Sequence, residues 1–303
     1  MYDVIIIGAG PAGLTAGIYA GRMKLKTAII DKMLPGGQIL LTENIENFPG
    51  FPDGISSQGL VDRLISQVKE LNVEIVNAEV KEIKKKSNFI VKTSEAKEIE
   101  SKTVIIVTGS QYKKLEIPGE EKLIGKGISF CAICDAPLFK NKEVVVIGGG
   151  NQAVEEALTL ERHASKVTLM HRRDKLRAVK LLEEKLLKNK KIEVAWNTIP
   201  LSFQGENKLE SIKIKNLKSQ EEDMIKVQGA FISVGMKPNT DFLQGLLKLD
   251  ENGYIVTDDE MVTSIEGIFA GGDCRKKSLR QVITACSEGA ICAHSAFRYL
   301  DNM

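Results

Sequence analysis

Asp3-Val4-Ile5-Ile6-Ile7-Gly8-Ala9-Gly10-Pro11-Ala12-Gly13 is the stretch on which the fold of this chain turns. Val4 to Ile7 is an unbroken β-branched run, the pattern of a strand buried on both faces of a parallel sheet. It ends in G-x-G-x-x-G. A helical pattern then runs from Leu14 to Met23, and a second strand, Lys26 to Ile30, ends on Asp31. Strand, glycine turn, helix, strand and acid is the order of a dinucleotide-binding unit. Each glycine has its own reason. Gly8 permits the tight turn, Gly10 lets backbone approach a pyrophosphate, and Gly13 lets helix and strand pack closely. With Pro11 and Ala12 they leave the helix N-terminus open to phosphate. Asp31 can accept hydrogen bonds from both hydroxyls of an unphosphorylated ribose.

The same order recurs in mid-chain. Glu143 to Ile147 reads as a strand. Gly148-Gly149-Gly150-Asn151-Gln152-Ala153 fits G-x-G-x-x-A, Val154 to Arg162 reads as a helix, and Lys166 to Met170 as the next strand. The spacing repeats: 31 − 8 = 23 and 171 − 148 = 23. At the position of Asp31 the second unit has His171, followed by Arg172, Arg173 and Arg177. An acid would repel a 2′-phosphate, whereas guanidinium groups can clamp one. The expectation is FAD at the acid-terminated unit and NADPH at the arginine-terminated one.

Cys131-Ala132-Ile133-Cys134 precedes the second fingerprint, and Asp135 follows it. A Cys-x-x-Cys pair can cycle between dithiol and disulfide. Zinc would need four ligands, and the chain's histidines, His163, His171 and His294, are not spaced to supply them. No metal is expected. A carboxyl beside a dithiol could relay a proton; a helix-capping carboxylate is the plainer role for Asp135. Cys274, Cys286 and Cys292 read as small buried hydrophobes.

The remaining composition is ordinary: 303 residues, 43% hydrophobic, 27% charged and a net charge of +2. That balance gives no strong pull toward nucleic acid or membrane. The Lys-rich run from Lys81 to Lys102 also carries Glu and reads as a solvated hairpin face. With the first strand starting at Tyr2, no leader is expected, and no run nears the ~18 apolar residues of a membrane span. The expected location is cytoplasmic. Thr103 to Thr108, closing on Gly109, reads as another strand, as do Ala230 to Val234 and Gly267 to Ala270. The tail after the second unit has a strand and a helix but no fingerprint. The expected fold is therefore α/β: two Rossmann-like, three-layer ββα-type domains, with the NADPH domain (117–245, carrying the cysteine pair) inserted into the FAD domain (1–116 and 246–303). The turn-rich sites Pro118-Gly119 and Pro238-Asn239 suggest the boundaries.

Taken in order, these motifs resemble the low-molecular-weight, bacterial-type thioredoxin reductases. Pro35-Gly36-Gly37-Gln38, Glu46-Asn47-Phe48-Pro49-Gly50, Val154-Glu155-Glu156-Ala157, and Gly272-Asp273 followed by Arg280-Gln281 add to the likeness. The resemblance implies NADPH-dependent reduction of a thioredoxin or thioredoxin-like disulfide through FAD. Cys131 and Cys134 would form the redox disulfide, with Asp135 as its proton donor. It also implies that Asp31, Lys32, Gly36, Gly37 and Gln38 wrap the FAD, joined by Asn47, Thr108, Gly109, Gly272 and Asp273, with Arg280, Gln281 and Val282 beside the flavin ring. Gly148, Gly150, Asn151, Gln152, Ala153, His171, Arg172, Arg173 and Arg177 would take NADPH. A homodimer, and an inserted domain that must move, are implied as well. Ala136, Gln152 and Gly271 depart from the family's usual residues. Other readings are a relative using NADH or ferredoxin, one serving a peroxiredoxin-like acceptor, and a nucleotide-bound redox sensor without turnover.

Overall fold

Val4, Ile5, Ile6 and Ile7 are all buried in the strand Tyr2–Ile7 of the computed structural model, which describes residues 1–41 and 44–303. Successive side chains face opposite ways. Val4 and Ile6 join Ile29, Ile105 and Phe269 in a core against helices, while Ile5 and Ile7 join Ile30, Val104 and Ile106 in a core that includes Ile83, Phe89 and Val91. Burial on both faces is why the sequence is apolar without alternation. Each such side chain contributes roughly 1.5–3 kcal/mol.

The chain forms two compact units, residues 1–111 with 237–303, and residues 112–236. The connections are the strands Ser110–Tyr112 and Met236–Pro238, which pair with each other. The chain therefore crosses in extended segments, the first ahead of the Pro118-Gly119 turn and the second running into Pro238 itself.

In the first unit, Tyr2–Ile7 pairs in parallel with Thr27–Asp31 on one side and with Glu98–Ile106 on the other. Glu74–Asn77 extends the sheet beyond Thr27–Asp31, and Ile268–Ala270 from the chain's tail pairs in parallel with Glu98–Ile106. The long strand Glu98–Ile106 is shared. Its first half pairs antiparallel with Phe89–Thr93, which pairs with Val80–Lys85. This meander forms the third layer. Its outer face carries the ion pairs Lys81–Glu79, Lys84–Glu82, Lys92–Glu98 and Lys97–Glu95, the solvated face expected for the Lys-rich run. The helix Pro11–Arg22 begins earlier than the apolar pattern from Leu14 suggests, because Pro11 occupies the first helical position. It packs against the tail helix Val282–Asp301.

The second unit repeats the design. Its parallel sheet runs Ile128–Ser129, Gly229–Ser233, Glu143–Gly148, Lys166–His171, Ile192–Trp196. Val144, Val146 and Leu169 face the helix Asn151–Leu160, while Val145, Ile147 and Met170 face a core shared with Phe203 and Ile212. Those last two residues belong to the antiparallel strands Thr198–Gln204 and Ser211–Asn216. The fold is α/β with two Rossmann-like, three-layer units.

Candidate active site and nucleotide sites

The first fingerprint is a tight piece of packing with one gap. Gly8 has φ +115°, and a Cβ there would lie 2.3 Å from the Val107 carbonyl oxygen. A Cβ on Gly13 would lie 1.8 Å from the Gly8 carbonyl oxygen. Neither position tolerates a side chain. Gly10 differs: a Cβ there would meet nothing within 4 Å. The protein itself does not require that glycine, and the open space lies at the N-terminus of Pro11–Arg22. No side chain caps that helix, so its first-turn N–H groups and partial positive charge are left for an anion. The space fits a pyrophosphate.

Asp31 closes the unit. Its Oδ2 accepts the Ala9 N–H at 2.6 Å and its Oδ1 the Met33 N–H at 2.9 Å. Each carboxylate oxygen keeps a second acceptor site. The following loop is pinned by the Gly36 N–H donating to the Ala9 carbonyl at 2.9 Å. Gly37 follows at φ +63°, its Cβ position 3.3 Å from the Gly10 Cα; Lys32 is exposed and Gln38 half-buried. Elsewhere in the same unit, the Asn47 side-chain amide donates to Gln281 Oε1 at 3.0 Å, bringing together two residues 234 apart in sequence. Gln281 and Thr284 form a capping box at the head of Val282–Asp301. Thr108 Oγ1 donates to the Asn239 carbonyl at 2.8 Å, and Gly109 has φ +68° with open space above it. Arg280 stacks over Tyr254 at 4.3 Å. A Cβ at Gly272, φ +70°, would be 3.1 Å from the Ala12 Cβ, so the Gly272-Asp273 turn abuts the fingerprint helix.

The second fingerprint shows the same pattern. A Cβ on Gly148 would lie 2.5 Å from the Ser233 carbonyl oxygen, whereas one on Gly150 would meet nothing within 4 Å. The helix Asn151–Leu160, with Ala153 buried in its first turn, also lacks a side-chain cap. Asn151 Oδ1 instead accepts the Val179 N–H at 2.9 Å. The Arg177 N–H donates to the Gly149 carbonyl at 2.8 Å, tying the basic loop to the turn. Arg172, Arg173 and Arg177 are exposed, and among the described residues none of them is in an ion pair. His171 is separated from them. Its ring is 4% exposed and sits beneath Gly149, where a Cβ would be 2.2 Å from its Nδ1. Nε2 lies 3.1 Å from the Lys175 carbonyl. Burial holds the imidazole below its usual pKa. His171 thus supports the turn from below, while the arginines face solvent.

Cys131 and Cys134 form a disulfide, with Cα atoms 5.3 Å apart. Cys131 caps the one-turn helix Ala132–Asp135, its Sγ accepting the Cys134 N–H at 3.2 Å. Ala132 and Ala136 pack into the same core as Ala153, Val154 and Ala157, which mounts the disulfide on the fingerprint helix. The Asp135 carboxylate is not used as a helix cap. It accepts the Ser129 hydroxyl at 2.6 Å, and the same hydroxyl accepts the Cys131 N–H at 3.1 Å. Ser129 therefore links the acid to the cysteine backbone. It carries no motif of its own; the only available signal is its place two residues before Cys131, at the end of a strand. Of the other cysteines, Cys274 and Cys292 are fully buried, and burial pushes the Cys274 thiol up to about 11. Cys286 is half-buried, its sulfur 3.9 Å from the Pro11 carbonyl at the start of the fingerprint helix.

Glu156 was not marked by the sequence as a separate feature. It is 7% exposed, on the helix after the second fingerprint. Burial raises its carboxyl from 4.5 to about 7. Gln152 donates to its Oε1 at 3.2 Å, while Oε2 and Ser233 Oγ are both buried without a hydrogen bond of good geometry. Among the described residues, no cluster of His, Cys, Asp and Glu could hold a metal ion, and no helix is long and apolar enough to cross a membrane.

Residues 2–289 match the family model described as pyridine nucleotide-disulphide oxidoreductase. A thioredoxin reductase of Treponema pallidum is 45% identical over 302 residues, covering 100% of this chain and 98% of the relative. One from Bacillus subtilis is 43% identical, covering 100% and 96%. The crystal structure of thioredoxin reductase from Streptococcus pyogenes superposes with a TM-score of 0.95 at 43% identity, covering 100% of this chain and 99% of that one.

Proposed function

We propose, on the premise that this chain belongs to the pyridine nucleotide-disulphide oxidoreductase family, that it is a thioredoxin-disulfide reductase driven by NADPH. The family makes it a flavin- and pyridine-nucleotide-dependent oxidoreductase. The observation that carries the finer reading is the Cys131–Cys134 disulfide, backed by Ser129 and Asp135 and mounted on the fingerprint helix Asn151–Leu160.

In this reading Gly8, Gly10, the first turn of Pro11–Arg22 and Asp31 hold FAD, with Asn47, Asp273 and Gln281. Gly150, the first turn of Asn151–Leu160 and the exposed arginines hold NADPH. When held there, the flavin and the nicotinamide would supply the two-electron redox chemistry that keeps the Cys131–Cys134 pair reduced. The chain's own residues then act on the substrate. One sulfur of the reduced pair, as thiolate, attacks a sulfur of the thioredoxin disulfide. The bond between the two thioredoxin sulfurs breaks and a mixed disulfide forms. The second sulfur attacks the first, re-forming Cys131–Cys134 and releasing dithiol thioredoxin. Asp135, held by Ser129, is placed to carry a proton to the departing thiolate. A homodimer and a cytoplasmic location complete the proposal; both rest on the family likeness.

Anaerobic titration of the FAD-loaded protein with NADPH and NADH in parallel tests the donor. NADPH should bleach the flavin at far lower concentration; bleaching by NADH alone would overturn the assignment. Cys134→Ser should lower thioredoxin reduction by about four orders of magnitude while FAD stays bound. Full activity in that variant would sink the mechanism.

A further inference from the structure

Gly271 departs from the alanine usual at this position in the family the chain resembles, and the structure gives the departure a physical account. A Cβ on Gly271 would lie 2.9 Å from Cys292 Sγ and 3.2 Å from the Cβ and carbonyl oxygen of Glu288. The missing methyl leaves room for Glu288, whose carboxylate is buried on the tail helix. Its Oε2 accepts the Gly272 N–H at 2.7 Å and lies 3.4 Å from Lys277 Nζ. Its Oε1 lies 3.3 Å from Arg275 Nη1. Lys277 Nζ is also 3.1 Å from Asp273 Oδ1. The side chains of Lys277 and Glu288 are only 7% and 11% exposed.

Lys277, Arg275 and Glu288 thus meet in a nearly dry patch, with the partly exposed Asp273 at its edge. Such a cluster is weak evidence for stability, because desolvation offsets most of the attraction. Its location gives it another use. The next residue, Gly289, lets the tail helix touch the fingerprint helix: a Cβ there would be 2.1 Å from the Ala12 carbonyl oxygen. The dipeptide Glu288-Gly289 therefore brings together the start of Pro11–Arg22 and the Gly272-Asp273 turn, fixing the turn through its own amide. The Asp273 Oδ1 atom is buried and, apart from the Lys277 ion pair, has no hydrogen bond.

We propose that Glu288, braced by Lys277 and Arg275, is the positioning residue that sets the Gly272-Asp273 turn against the fingerprint helix for FAD. This rests on the reading of the first unit as the FAD site. Glu288 does not touch the reacting atoms; it acts through Gly272 and, by way of Lys277, through Asp273.

The test is FAD titration of protein stripped of flavin, followed by flavin absorbance, with far-ultraviolet circular dichroism to confirm folding. Glu288→Gln keeps the size and one acceptor oxygen but loses the charge, and should raise the FAD dissociation constant about tenfold. Gly271→Ala, which displaces Glu288, should do the same without touching any charge. Lys277→Met should weaken FAD similarly, while Lys277→Arg restores affinity to within about threefold. The visible flavin band should shift in the weakened variants. Wild-type affinity and spectrum in both Glu288→Gln and Lys277→Met would overturn the proposal, as would a loss confined to thermal stability of the flavin-free protein. Failure of the wild type to bind FAD would instead refute the assignment of the first unit.

Discussion

Adding 140 to a residue number carries the first fingerprint onto the second (148 − 8 = 140), and the sheet ladders follow. Val4 pairs with Thr27 and Val144 with Val167; Ile7 pairs with Ile30 and Ile147 with Met170. In both units the carbonyl of the second fingerprint residue pins the next loop, Ala9 to Gly36 and Gly149 to Arg177. In both, the middle glycine opens on empty space above an uncapped helix. The difference begins at the end of the second strand. Asp31 turns its carboxylate back onto two backbone amides, whereas His171 is driven under the turn and leaves three arginines outside. The shared skeleton presents backbone to a pyrophosphate, and the strand end decides which ribose that backbone receives.

The sharpest way to break this comparison is to neutralise the strand end. Arg172→Gln with Arg173→Gln removes two groups able to make charge-assisted bonds, each of about 1.5–3 kcal/mol. The NADPH:NADH ratio of kcat/KM should fall about a thousandfold, chiefly through KM for NADPH, with FAD affinity unmoved. A ratio unchanged from wild type would remove the basis for telling the two sites apart.

A second contrast lies one turn further along each helix. Position 16 is a buried alanine; its counterpart, position 156, is a buried glutamate (156 − 140 = 16). Folding raises the Glu156 carboxyl from 4.5 to about 7. The protonated form is therefore favoured in the fold. Its stabilising contribution is complete below 4.5 and drains away as pH rises to about 7. Relative to Glu156→Gln, the wild type should lose about 3 kcal/mol of stability across that window. Urea denaturation of both proteins at a series of pH values measures it. Parallel curves for the two would show that the carboxyl does not titrate in that range.

The glycines give a smaller, cleaner contrast. Gly10→Ala and Gly150→Ala put a methyl where the protein has only space. Each should leave thermal stability within about 0.5 kcal/mol of wild type. Each should weaken its own nucleotide about tenfold to thirtyfold, by crowding the phosphate approach at a cost of about 1.4–2 kcal/mol. The FAD and NADPH effects should not cross over. Gly13→Ala, aimed at the Gly8 carbonyl, should instead destabilise the fold itself.

What the sequence made legible follows from locality. Each fingerprint is a continuous run whose glycines, strand and helix are read from neighbours in the chain, and the matched spacing of 23 needs only counting. The alternation of core faces was hidden, since a strand buried on both sides shows no polar phase. Glu156 stands in a run of helix formers, and it is the packing of that helix against elements distant in sequence, the Ser233 strand among them, that makes it dry. Glu288 meets Gly272 across a gap of 16 residues bridged by a helix and a turn. In sequence His171 groups with the arginines because it is basic and directly precedes Arg172 and Arg173, with Arg177 close behind. The ring's place under Gly149 depends on which way the last strand residue points, and the basic cluster alone does not settle that.

Ser129 shows the same limit at the reactive centre, and its effect should be the smallest. Ser129 ends a two-residue strand that pairs with Phe231, so its position beside Asp135 comes from the sheet rather than from the Cys-x-x-Cys motif. Among the described residues the first unit has no counterpart to this triad, which makes Ser129 a probe of what the second unit adds to the shared skeleton. Ser129→Ala deletes one charge-assisted bond to Asp135 and one acceptor for the Cys131 amide. Both partners are half-buried and can recruit water, so the loss should be about 1 kcal/mol. Turnover with thioredoxin should fall about fivefold, while bleaching of the flavin by NADPH in a single turnover keeps its rate. Ser129→Thr, which retains the hydroxyl, should recover most of the activity. If Ser129→Ala slows flavin bleaching as much as thioredoxin reduction, the hydroxyl serves the framework of the second unit and not its disulfide.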